Sequence, residues 1–182
     1  MGTRSLTTFN SSYSNEEIVV MYRQYDDYPT GHGKELLEFL KGMTIVNGIS
    51  AKENPSKFAN GMDCLAAQVV KHFKEDAGGF YLHKSGTRDC GEEFIYTIYQ
   101  DKDTKGVMIK VKDVYEKKTV FDGNIEKYEL WIDGEQSSLN NYPTEVSVSN
   151  SLKNALDNTG SCSDVNQKED GFTDWILNSV WF

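Results

Sequence analysis

Two periods of hydrophobicity take turns along the first part of this chain, and the switches between them mark its elements. From Glu17 to Tyr25 the apolar Ile18, Val20 and Tyr22 recur at every second position, the pattern of a strand with one covered face. Leu6 and Phe9 belong to a strand before it, and the polar, Ser-rich stretch 10–15 makes the turn between the two. The period then lengthens. After Pro29, Gly31 and Gly33, the residues Leu36, Leu37 and Leu40 fall on one helical face, with Gly42 as the stop. A second helix is predicted over about 62–75. Cys64, Leu65, Val69 and Phe73, with the small Ala66 and Ala67, form its packing face, and Asp63 sits near its start, where the macrodipole favours an acid.

The chain then returns to period two. Strands are predicted over 79–83, 93–100 and 106–112, with Phe94, Tyr96 and Ile98 facing one way in the second. In the third, Val107, Ile109 and Val111 oppose Met108, Lys110 and Lys112, as in an antiparallel sheet with one wet side. Asp101 to Thr104 makes the hairpin turn between these two strands, and Asn124 caps a short helix carrying Ile125, Tyr128 and Trp131. Strands, two main helices and then a run of strands predict an α+β fold with a mostly antiparallel sheet, rather than repeated βαβ units. No internal repeat is visible.

Charge adds a division that the periods do not show. The 182 residues carry a net charge of −9. Residues 133–182 hold eight acids and two bases, a balance of −6, which leaves −3 for residues 1–132. The stretch 137–167 is also crowded with Ser and Asn. The organisation expected is therefore an α+β core over 1–132 and an acidic, Ser/Asn-rich C-terminal extension over 133–182. Its last segment is strongly apolar: Trp175, Ile176, Val180, Trp181 and Phe182 would be a liability if exposed, so they are expected to dock on the core or on another subunit.

Composition narrows the function classes. Nine Phe, ten Tyr and three Trp exclude wholesale disorder. The acidic balance argues against binding duplex nucleic acid, which requires a basic footprint. No run reaches the ~18 apolar residues of a membrane helix, and Met1 to Leu6 lacks an apolar signal core. Three widely spaced cysteines do not make a disulfide framework. An intracellular protein is expected, in the cytoplasm or, for a viral protein, in the host cytoplasm or virion.

The most distinctive stretch is Met21-Tyr22-Arg23-Gln24-Tyr25-Asp26-Asp27-Tyr28-Pro29-Thr30-Gly31-His32-Gly33-Lys34-Glu35-Leu36. Together with Gly2-Thr3-Arg4-Ser5-Leu6, Ile45-Val46-Asn47-Gly48-Ile49, Ala59-Asn60-Gly61-Met62 and Asp89-Cys90-Gly91-Glu92, it resembles a group of short, uncharacterised proteins of bacteria, phages and large DNA viruses. The resemblance covers about residues 2–132. It brings no activity with it, and the extension departs from the shorter members.

Chemistry concentrates in the loop from Arg23 to Lys34. Arg23 is suited to clamp a phosphate or carboxylate bidentately, with Gln24, Tyr25, Asp26 and His32 beside it, and a tyrosine face could stack on a base. Gly31 and Gly33 would let the backbone approach a ligand, and the following helix would aim free N–H groups at an anion. Arg88 is a candidate second anion contact. The competing structural reading is a tight turn shaped by Pro29 and the two glycines, with Arg23 paired to Asp26 or Asp27. Gly31-His32-Gly33 lacks the third glycine of a dinucleotide fingerprint and the Gly-Lys-Ser/Thr ending of a phosphate loop.

Other candidates are weaker. Cys64, near a helix start, could form a thiol pair with His32 or His83, but no cysteine-protease signature surrounds it and a small packing residue is the simpler reading. Cys90 has no Cys-x-x-Cys partner, so no metal site and no cofactor are expected. The acidic pairs Glu16/Glu17, Asp26/Asp27 and Glu92/Glu93 are expected on solvated surface. The leading functional expectation is a non-enzymatic binding protein, such as a viral or phage accessory protein, that holds a small anionic or nucleotide-like ligand. One alternative is a structural or assembly protein, such as a minor virion component, docking through its C-terminal arm onto copies of itself or virion neighbours. The other is a small hydrolase using Cys64 or the His32/Asp26 pair.

Overall fold

A computed structural model describes residues 2–48 and 55–140. Its centre is a six-stranded sheet in the order β5-β2-β1-β6-β7-β8. The strands are β1 (Ser5–Asn10), β2 (Glu17–Arg23), β5 (Phe80–His83), β6 (Phe94–Gln100), β7 (Val107–Asp113) and β8 (Lys118–Asn124). A two-stranded parallel sheet, β3 (Thr44–Val46) with β4 (Phe58–Asn60), stands beside it. The helices are α1 (Lys34–Leu40), α2 (Gly61–Phe73) and α3 (Ile125–Asn140). The fold is α+β with a mostly antiparallel sheet, as the hydrophobic pattern predicts.

The single parallel pairing inside the large sheet is β1 with β6, in the register Thr7↔Tyr96 and Phe9↔Ile98. It follows from the connection between β5 and β6, which crosses from the outer edge past β2 and β1 with no helix of its own. That segment is tied down at two places. Glu17 accepts from the Gly86 N–H at 2.6 Å and pairs with Arg88 at 2.6 Å, and the Glu93 N–H donates to the Arg4 carbonyl at 2.8 Å. Glu92, expected on solvated surface, is instead buried, because its carboxylate accepts from the backbone N–H groups of Asp89 and Cys90 and so closes the turn before β6.

One face of the sheet carries Phe9, Met21, Tyr96, Ile98, Ile109 and Val111, all buried, and the helices cover it. Helix α2 packs on β1 and β2 through Met62, Leu65, Ala66 and Val69, whereas Ala67 of the expected packing face is exposed. Helix α3 packs on β7 and β8, and α1 lies against α3. Fully burying side chains of this size is worth ~1.5–3 kcal/mol each, which makes this face the main source of stability. The opposite face is more polar: Thr8 donates to Thr97, and Asp122 joins Tyr99 and Lys110.

Helix α3 starts as expected, with the Asn124 side chain accepting from the Lys127 N–H at 3.1 Å. It is not short, however. It continues through residue 132 to Asn140, so the change of composition at 133 falls within a helix. The docking residues Trp175, Ile176, Val180, Trp181 and Phe182 lie outside the described residues. Among the described residues, no helix is long and apolar enough to cross a membrane.

Candidate functional site

Strand β2 ends by delivering Arg23 to the helix-covered face, and the chain then turns sharply. Asp26, with φ +56°, directs its carbonyl to the His32 N–H at 3.0 Å. Residues Pro29–Gly33 form an irregular helical turn, broken at Gly31 (ψ −105°), that runs into α1. Four N–H groups at this junction are already engaged: Gly31 and Gly33 donate to the Tyr28 carbonyl, His32 to Asp26, and Lys34 to Gly31.

Both glycines are required by packing. A Cβ on Gly31 would stand 2.2 Å from the Asp26 carbonyl oxygen, and one on Gly33 would stand 2.5 Å from the Tyr128 hydroxyl. That hydroxyl is buried without a hydrogen-bond partner among the described residues. Tyr128→Phe should therefore leave stability unchanged or raise it by about 1 kcal/mol, because an unsatisfied buried hydroxyl is removed. Gly33→Ala should cost about 1–3 kcal/mol alone and distinctly less on the Tyr128→Phe background. Urea unfolding of the four proteins measures both effects; an equal cost of Gly33→Ala on the two backgrounds would refute the contact.

Beneath the turn lies a buried polar network. Asp27, expected on solvated surface, is fully buried: its Oδ2 accepts the Ser5 N–H at 3.0 Å, and the Tyr96 hydroxyl donates to its carbonyl at 2.9 Å. Asp27 Oδ1 stands 3.1 Å from Arg23 Nε, an ionic contact without the alignment of a hydrogen bond. Burial pushes the Asp27 carboxyl up to about 7, even though Arg23 works in the other direction.

His32 is fully buried among the rings of Phe73, Phe80 and Tyr96. Arg23 Nη1 lies 2.8 Å from its Nδ1, and a guanidinium can only donate, so Nδ1 presents its lone pair. Nε2 then carries the proton and donates to Thr7 Oγ1 at 3.0 Å. Burial pushes the His32 pKa down, in keeping with a neutral ring. The Glu35 carboxyl, with His32 at 3.7 Å and the Arg23 guanidinium donating to it, is held well below its ordinary value. With Nδ1 engaged as an acceptor and 3.7 Å from the carboxylate, the guanidinium hydrogen bond is the effective contact.

Arg23 and Glu35 also reach the floor of an open groove of about 770 Å³ between α1, the end of α2 and the 74–80 segment. Phe39, Phe73 and the exposed Tyr25 supply rings to its wall, and Arg23 lies 5.9 Å from the Phe73 ring centroid. Two further cations line it. Lys57 Nζ donates to the carbonyls of Lys41 at 2.8 Å and Phe39 at 3.3 Å, and Lys74 Nζ to those of Gly78 at 3.0 Å and Phe80 at 3.1 Å, which leaves each ammonium one N–H for a ligand. Neither pairs with a carboxylate among the described residues. Glu38, Glu75 and Asp76 give the rim acceptors as well.

The structure thus brings Arg23, Gly31, His32 and Gly33 together, with Asp26 contributing its carbonyl. Tyr25 reaches the groove, while Gln24 is held by its N–H on the Gly79 carbonyl at 3.2 Å. Arg88 does not join them; it serves Glu17. Cys64 lies in the first turn of α2 beside Gln68, and both nitrogens of His32 are engaged elsewhere. Among the described residues no cluster of His, Cys, Asp or Glu could hold a metal ion. Thr7, Glu35, Lys57, Phe73, Lys74 and Tyr96 were not apparent as site residues from the sequence; only Glu35, three residues beyond His32, carried a local signal, the shared helical face. Neither a family model, nor a curated protein, nor a solved structure matches the chain.

Proposed function

We propose that this is a binding protein whose groove between α1, the end of α2 and the 74–80 segment holds a small anionic, nucleotide-like ligand. The observation that carries this reading is the meeting of two ammonium groups, Lys57 and Lys74, with aromatic walls in one groove large enough for such a molecule. The ammonium groups suit a phosphate, the Tyr25 and Phe73 rings suit a planar base, and the acids of the rim suit hydroxyl or amino donors. The engagement of both His32 nitrogens and the position of Cys64 outside the groove favour retention of the ligand over its conversion. A phage or viral accessory protein that sequesters a host signal is one concrete form of this reading.

Calorimetry of dialysed protein with a panel of nucleotides and with ribose 5-phosphate tests the reading. At least one nucleotide should bind, and Lys57→Ala with Lys74→Ala should weaken it about ten-fold or more. The absence of heat and of any thermal shift across the panel would overturn it.

A further inference from the structure

The groove is built where two helices end. Helix α1 stops at Leu40 and α2 at Phe73, and residues from the last turn of each, Phe39 and His72 among them, line the groove. The C-terminal carbonyls of a helix carry the negative end of its dipole. Lys57 and Lys74 offset that field only in part. Lys57 donates to the Phe39 and Lys41 carbonyls at the end of α1, and Lys74 to the Gly78 and Phe80 carbonyls beyond the end of α2. Two N–H groups of each ammonium are engaged there, so each has one left.

The side-chain charges act in the same direction. Arg23 is already compensated by Asp27 and Glu35. Three further carboxylates, Glu38, Glu75 and Asp76, line the groove, and none of them forms a salt bridge among the described residues. They outnumber Lys57 and Lys74, and the chain places them beside those lysines. Glu75 and Asp76 follow Lys74 directly, and Glu38 precedes Phe39, whose carbonyl Lys57 binds.

Resting on the nucleotide-like reading above, we infer that the groove takes a ligand with a single phosphate group, a nucleoside monophosphate, and turns away nucleoside di- and triphosphates. Two N–H groups on two ammonium ions suit one phosphate. Each further phosphate adds negative charge without adding a donor, in a groove whose remaining carboxylates and helix ends are negative. The selection depends on the sum of charges over the groove and not on the direction of any one side chain, because their field acts over about a Debye length.

Titration calorimetry with the full chain, in EDTA and at about pH 8 where ordinary imidazoles are uncharged, decides the matter. AMP, GMP, CMP and UMP are each compared with the matching di- and triphosphate. A nucleotide that binds should do so about ten-fold tighter as its monophosphate than as its triphosphate at about 20 mM salt, and the gap should shrink at about 300 mM as screening shortens the field. Glu75→Gln combined with Asp76→Asn, at two exposed positions outside the helices, should raise affinity for the triphosphate more than for the monophosphate. Equal or tighter binding of the triphosphate, or a gap unmoved by both salt and the double substitution, would overturn the single-phosphate selection while leaving the groove as a nucleotide site. No heat with any member of the series would overturn both. The salt series uses the unaltered protein, so the outcome does not depend on folding of the variant.

Discussion

Arg23→Ala should lower the unfolding free energy by about 3 kcal/mol at neutral pH, because removing one partner of a buried pair strands the other. The guanidinium is the hub of the site. It faces Asp27, donates to His32 Nδ1, holds Glu35 and lies against the Phe73 ring. Its loss leaves a fully buried carboxyl with only the Ser5 N–H to serve it, and an imidazole lone pair without a donor. The deficit should be larger at about pH 8 than at about pH 5. At the lower pH, Asp27 is already protonated in the folded protein and has less need of a cation. Arg23→Lys should recover only a part, since one ammonium cannot reproduce the planar fork that meets Asp27, His32 and Glu35 together. Urea unfolding at the two pH values measures all of this. A pH-independent loss below about 1 kcal/mol would show that Arg23 is a surface residue in energetic effect.

The hub also shows where the sequence stops being legible. The density of polar chemistry between Arg23 and Lys34 is visible in the sequence, and so is the pairing of Arg23 with a neighbouring aspartate. The burial of Asp27 is not, because it depends on the Ser5 N–H and the Tyr96 hydroxyl, which come from strands brought together only by the parallel pairing of β1 with β6. Thr7 reaches His32 from β1, the antiparallel partner of the strand that leads into the turn. Periodicity finds β6 and β7 because each alternates against a covered face, whereas β1 and β2 bury adjacent residues on both faces. It does not find β8, where the register slips between Val111 and Lys112, so the adjacent Val120 and Phe121 break the alternation. The short β3 and β4 offer three residues each, too few for any period to be read. The short helix expected over Ile125, Tyr128 and Trp131 is the part of α3 that packs on β7, β8 and α1, and the helix runs on from there to Asn140. Lys57 precedes β4 and Lys74 follows α2, so they share the groove only through the tertiary fold.

The same network predicts an unusual pH response that single substitutions should divide into two opposite slopes. Between about pH 4.5 and 6.5 the unfolded chain carries a proton on His32, whose ordinary pKa is 6.5, and none on Asp27, whose ordinary value is 3.8. The folded protein does the reverse: burial keeps His32 neutral and holds a proton on Asp27 up to about 7. The proton counts match, so these two groups together give almost no slope over that interval. Each alone would give one. A folded pKa raised above the unfolded one contributes stability that is present at low pH and is lost as pH rises through about 7. A lowered folded pKa makes stability rise until the unfolded histidine has titrated. Asp27→Asn should therefore leave the His32 contribution uncompensated, so that stability rises with pH up to about 6.5. His32→Gln should convert the flat profile into one that falls towards pH 7. Neither substitution removes the main cause of the other shift, since burial leads both and the charged neighbours Arg23 and Glu35 remain. Glu35, held well below its ordinary value of 4.5 in the folded protein, adds a small rise at the lower edge of this interval that is common to the three proteins. Parallel profiles for the three proteins, measured by urea unfolding at half-unit steps of pH, would mean that Asp27 and His32 do not exchange a proton on folding.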